Sequence, residues 1–133
     1  MNNESRNNRA YDLNDRLIAY AVSIISICDQ LKNTRAGIHL ANQLVRSGTS
    51  PALNYGEAQS SESTRDFIHK LKVALKELRE SFNALKIIDR ADLFTGQNDA
   101  LKTCISESNE LISIFVKSIN TTKANKLKKD GRL

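Results

Sequence analysis

Apolar residues recur in steps of three and four along four separate stretches of this chain, the spacing that lines one face of an α-helix. The first stretch carries Leu13, Leu17, Tyr20, Ala21, Ile24, Cys28 and Leu31, with Asp12 placed to cap a helix opening at Leu13. The second follows Asn33-Thr34, which offers a cap, and carries Ile38, Ala41, Leu44, Val45, Ala52 and Tyr55. Gln59-Ser60-Ser61-Glu62-Ser63 leads to the third, in which Ser63 and Asp66 have the spacing of a capping box. Its inward set is Phe67, Leu71, Leu75, Leu78, Phe82 and Leu85, and its end falls near Arg90. After a short loop around Asp92-Leu93-Phe94-Thr95-Gly96, the fourth stretch carries Leu101, Cys104, Ile105, Leu111, Ile112, Phe115 and Ile119.

Gly48 and Pro51 conflict with the second helix, because proline removes a backbone donor and its ring crowds the carbonyl four residues back. The apolar phase nevertheless survives, since Val45 and Ala52 are almost two full turns apart and Ser47 and Gly48 are small enough to ease a bend. One helix from about 35 to 58 is expected, kinked near Gly48-Pro51. Four amphipathic helices with short loops predict an all-α fold, an antiparallel up-down-up-down four-helix bundle over residues 12–121. A polar, disordered N-terminus (1–11) and a basic, flexible C-terminal tail (122–133) complete the expected organisation.

Composition supports this class. Of the 133 residues 40% are hydrophobic but only 5% aromatic, with five glycines and one proline, which suits helices and withholds the residues sheets favour. That length buries one core without disulfides or metal. Cys28 and Cys104 are too far apart for a CxxC metal site and sit among apolar positions, so both are expected to be buried, unreactive thiols. The Asn-rich start lacks the apolar core of a signal peptide, and no stretch approaches the ~20 apolar residues of a membrane span. A cytoplasmic location without membrane contact is expected.

The net charge of +5 is unevenly spread. From Lys117 onward the chain holds Lys117, Lys123, Lys126, Lys128, Lys129 and Arg132 against Asp130 alone, which equals the whole net charge and leaves the rest neutral. Such an end either meets phosphate or serves as a solvated terminus. Polar residues also keep helical register: Arg46, Ser50, Asn54 and Glu57 share a face of the second helix, and Asp66, Lys70 and Glu77 share one of the third. If the two helices run in opposite directions, Arg46 falls level with Glu77 and Asn54 with Lys70. These stripes are either solvated faces or contacts between helices or subunits.

Catalytic and metal chemistry find little support. A carboxylate-bridged metal bundle needs paired Glu-x-x-His motifs, and this chain offers only Asp66-x-x-His69, with no acid three residues before His39. Ser47-Gly48-Thr49-Ser50 lacks the spacing of a phosphate loop. No enzyme activity, metal or cofactor is expected.

The block from Arg46 to Ala58, followed by Asp66-Phe67 and the helix they open, resembles the family of small four-helix-bundle proteins first noticed as open reading frames within intervening sequences of bacterial 23S rRNA genes. The family motif is matched by Arg46, Ser50, Asn54, Glu57 with Ala58, and Asp66 with Phe67. The resemblance implies a bundle that assembles as a homopentamer. It also implies kinship with the accessory variability protein of diversity-generating retroelements, which acts with a reverse transcriptase and RNA through a basic surface. The neutral body of this chain departs from that precedent.

Two functions follow as expectations. The first is a non-enzymatic homo-oligomer that binds the RNA or DNA backbone through Lys117, Lys123, Lys126, Lys128, Lys129 and Arg132. Arg46, Ser50, Asn54, Glu57, Asp66, Lys70 and Glu77 then serve assembly. The alternative is a scaffold for a protein partner with no nucleic-acid role.

Overall fold

The four apolar stripes close on one another as an all-α four-helix bundle. The computed structural model describes the backbone of residues 3–131 and the surroundings of the side chains from 12 to 131. The helices are α1 (Asn3–Cys28), α2 (Arg35–Gln59), α3 (Thr64–Arg90) and α4 (Asn98–Lys129). Leu17, Ile24, Leu44, Leu71, Leu78, Leu85, Leu101, Leu111 and Phe115 form the centre of the core, and Phe115 meets Tyr55 edge to face with ring centroids 6.0 Å apart. None of these helices is long and apolar enough to cross a membrane.

The two outer ends differ from expectation. α1 begins at Asn3 and not at Leu13, so Asp12 lies inside the helix and does not cap it. α4 continues to Lys129 through the segment expected to be a flexible tail. No Gly or Pro interrupts either stretch. At the far end Lys126, Lys128 and Lys129 occupy the last turn, where cations offset the negative end of the helix dipole.

The internal caps lie where the sequence puts them. Thr34 Oγ1 accepts from the Gly37 backbone at 3.1 Å, and Ser63 Oγ from that of Asp66 at 3.0 Å. At one end of the bundle the α1–α2 and α3–α4 connections are laced together: Lys32 donates to the Leu93 carbonyl and Thr95 to that of Gln30, both at 2.8 Å. Asp92 takes a left-handed backbone, φ 56°, a conformation short polar residues tolerate.

α2 is continuous through Gly48 and Pro51, and its inner face keeps the expected Leu44, Ala52 and Tyr55 but is rotated away from two other expected positions. Ile38 and Val45 are exposed, while the buried line runs through Gly37, Leu44, Ser47, Gly48, Pro51, Tyr55 and Ala58. Gly48 marks a close approach of α2 to α1, since a Cβ there would sit 2.6 Å from both γ carbons of Ile24.

The buried polar side chains are equally ordered. Tyr20 of α1, Ser47 of α2, Ser81 of α3 and Ser108 of α4 contribute one residue per helix to the middle of the core. The Tyr20 hydroxyl and Ser108 Oγ are 2.6 Å apart, and Ser81 Oγ donates to Ser47 Oγ at 3.0 Å. A satisfied polar layer of this kind ties the helices to one register, because any slide would leave hydroxyls buried without partners.

Cys104 is buried and Cys28 partly so. Desolvation pushes Cys28 up to about 11 and Cys104 up to about 12, the latter aided by Glu107. In the unfolded chain both ionise near pH 9. Above that pH the unfolded state alone gains thiolate, so stability present below pH 9 is lost as pH rises toward 11 and 12. The urea midpoint should therefore fall between about pH 8 and about pH 11, and fall less in a Cys28→Ala, Cys104→Ala variant. Identical pH slopes in the two proteins would show that the thiols carry none of the effect.

Candidate nucleic-acid interface

The polar stripes of α2 and α3 meet within the chain. Arg46 Nη1 lies 3.3 Å from Glu77 and its Nη2 3.2 Å from Glu80, as the levels of the two helices imply. Lys70 pairs with Glu57 at 3.3 Å and not with Asn54, whose amide instead donates to Ser50 Oγ of its own helix at 2.8 Å. Residue numbers thus rise along α2 as they fall along α3. Asp66 stands exposed in the first turn of α3, where a carboxylate suits the helix dipole.

Similar pairing engages half of the described acids elsewhere. Arg16 holds Glu107 in a two-pronged contact at 2.6 and 2.8 Å and also reaches Glu110, which keeps its guanidinium firmly protonated. Lys102 holds Asp89, Lys32 holds Asp92, and Lys126 holds Asp130. Of the residues expected to meet phosphate, Lys126 is therefore neutralised by its own helix. Lys117 is exposed beside an apolar cleft of about 370 Å³ lined by Leu13, Tyr55, Phe67, Leu71 and Phe115. Lys123, Lys128 and Lys129 are exposed and enter no ion pair among the described residues, while Arg132 lies outside them.

Lys123 leads to a feature that the sequence reading missed. Lys72 on α3 pushes the Lys123 pKa below the ordinary lysine value, through side-chain interaction and then like charge. Lys72 belongs to a run on the outer side of α3: Arg65, His69, Lys72, Lys76, Arg79, Asn83, Lys86 and Arg90 follow in steps of four and three. At 100° per residue all eight fall within an arc of about 100°. Every one is exposed except Lys86, which is half-buried over the Phe82 ring with Nζ 4.0 Å from its centroid. The neutral sum of the body had concealed this face, whose charge is cancelled mainly by acids elsewhere, Glu80 alone among the α3 acids bordering it beside Lys76 and Arg79.

Ionic chemistry elsewhere is sparse. His39 and His69 are exposed, and among the described residues no group of three His, Cys, Asp or Glu side chains is placed to hold a metal ion. On the far side of the bundle, Ile18 and Ile25 of α1 and Ile38 and Val45 of α2 remain exposed, while the exposed Val22 borders a cleft with Asp99, Ala100 and Thr103 of α4. The Ile24–Gly48 contact sets which flanks of these helices meet, and Ile25 and Val45 follow it on the outer side by helical phase. Exposed apolar residues thus gather on the α1–α2 side, and cations unpaired among the described residues on the α3–α4 side, where Ile87 and Leu127 are also exposed.

Residues 9–117 match the 23S rRNA-intervening sequence protein family. Among solved structures, the chain is similar to the crystal structure of a protein of unknown function from the S23 ribosomal protein family of Bacteroides thetaiotaomicron. The two share 28% identity over 84% of this chain and 97% of that one, with a TM-score of 0.73. No curated protein matches the chain.

Proposed function

Given that the chain belongs to the 23S rRNA-intervening sequence protein family, we propose that it is a non-enzymatic, homo-oligomeric accessory protein that holds RNA or DNA by the phosphate backbone. The observation that carries this reading is the separation of charge. Eight carboxylates are engaged by cations of the chain itself, while the cations of the outer α3 face and of Lys123, Lys128 and Lys129 enter no such pair among the described residues. Cations free of internal partners can replace the counterions condensed on a nucleic acid. The exposed apolar side of α1 and α2 supports assembly, for which the homopentamer is the expected state. Arg46 and Lys70 then act in bundle geometry, since their acidic partners lie in the same chain.

Filter binding of mixed-sequence RNA tests the reading. Retention at 50 mM salt should weaken about a thousandfold by 200 mM if some six phosphates are contacted, and should depend little on sequence. Absence of retention at 50 mM would overturn it and favour the protein scaffold.

A further inference from the structure

The geometry points to the outer face of α3, with Lys123 of α4 beside it, as a straight track for the backbone of double-stranded nucleic acid; this inference rests on the function proposed above. Six cations, Arg65, Lys72, Lys76, Arg79, Lys86 and Arg90, lie along one face of a single unbroken helix. At 1.5 Å per residue they span about 37 Å. None of the six enters an ion pair among the described residues. The neighbouring carboxylates of α3, Glu77 and Glu80, are turned toward Arg46 on the α2 side, and Asp89 toward Lys102.

Two features choose a duplex over a single strand. Single-strand binding draws much of its affinity from bases stacked on aromatic rings. Here no Tyr or Phe among the side chains described is exposed, and Lys86 already covers a face of Phe82. A duplex, in contrast, presents one negative charge per about 1.7 Å of its axis, the density that a rigid row of cations can exploit without stacking.

Fluorescence anisotropy on the full chain tests the track, with a 20-base-pair RNA duplex, the DNA duplex of the same sequence, and each single strand, over a series of salt concentrations. Two variants are compared with the unaltered chain: Lys72→Gln, Lys76→Gln, Arg79→Gln on α3, and Lys117→Gln, Lys128→Gln, Lys129→Gln on α4. Both duplexes should bind at least tenfold more tightly than the single strands. The α3 variant should lose at least tenfold in affinity and lower the slope of log K against log salt by about two to three. The α4 variant should lose less than half as much slope. Normal affinity and slope in the α3 variant, with loss confined to the α4 variant, would overturn the track while leaving nucleic-acid binding in place. Tighter binding of single strands would overturn the choice of duplex, and no binding of any probe at 50 mM salt would overturn the function on which the track rests. The substituted side chains are exposed, so circular dichroism and melting should match the unaltered chain in both variants.

Discussion

Tyr20→Ala is expected to lower the stability of the bundle by about 3–5 kcal/mol, whereas Tyr20→Phe should cost only about 1 kcal/mol. The difference follows from how the central polar layer is wired. Ser108 Oγ donates to the Cys104 carbonyl at 2.9 Å, so the Tyr20 hydroxyl is the donor in the 2.6 Å contact with Ser108. Phenylalanine keeps the ring, fills the same space and strands no buried donor. Alanine leaves a cavity in the buried core beside Ser108. Ser108→Ala should fall between the two, near 1–3 kcal/mol, because it removes a partner from a buried hydroxyl. Urea midpoints order the three variants. A phenylalanine variant as unstable as the alanine variant would show that the hydroxyl, and not the packing of the ring, dominates this position.

Gly48→Val should cost about 2–3 kcal/mol, although valine is the better helix former. The new side chain starts 2.6 Å from two carbons of Ile24, and Ile24 is β-branched and fully buried, so it cannot swing aside. Ile24→Ala in the same chain opens the required space, and the double variant should be more stable than the two separate losses imply. Strict additivity in urea unfolding would place the α1–α2 contact elsewhere.

These two positions also explain what could be read from the sequence. The existence of four helices was visible because Leu17, Ile24, Leu71, Leu78, Leu85, Leu111 and Phe115 repeat at helical spacing and are in fact buried. On α2 the search for large apolar residues misled, drawing Ile38 and Val45 inward while the true contact line uses Ser47, Gly48 and Pro51. Small residues bury themselves by letting backbones approach, which leaves no hydrophobic signal to find. The last turns of α4 looked like a tail because Lys123 to Lys129 include only Leu127 as a large apolar residue, yet lysine is a good helix former and stabilises a helix C-terminus.

The candidate interface was hidden for a different reason. Summing charge over the body gave zero, and a sum carries no direction. Reading Asp66, Lys70 and Glu77 as the polar stripe of α3 followed its flank toward α2, where acids and bases alternate. The outer cations stand in the same sequence at steps of three and four, so a helical projection of charge, drawn as for hydrophobicity, would have found them.

The most direct test of the account is size-exclusion chromatography with light scattering, run on the chain with and without an RNA duplex at low and high salt. An oligomer is expected at both salts, carrying RNA at low salt and releasing it at high salt. A monomer would contradict assembly through the apolar α1–α2 side, and an oligomer that elutes apart from RNA even at low salt would contradict the role given to its cationic side.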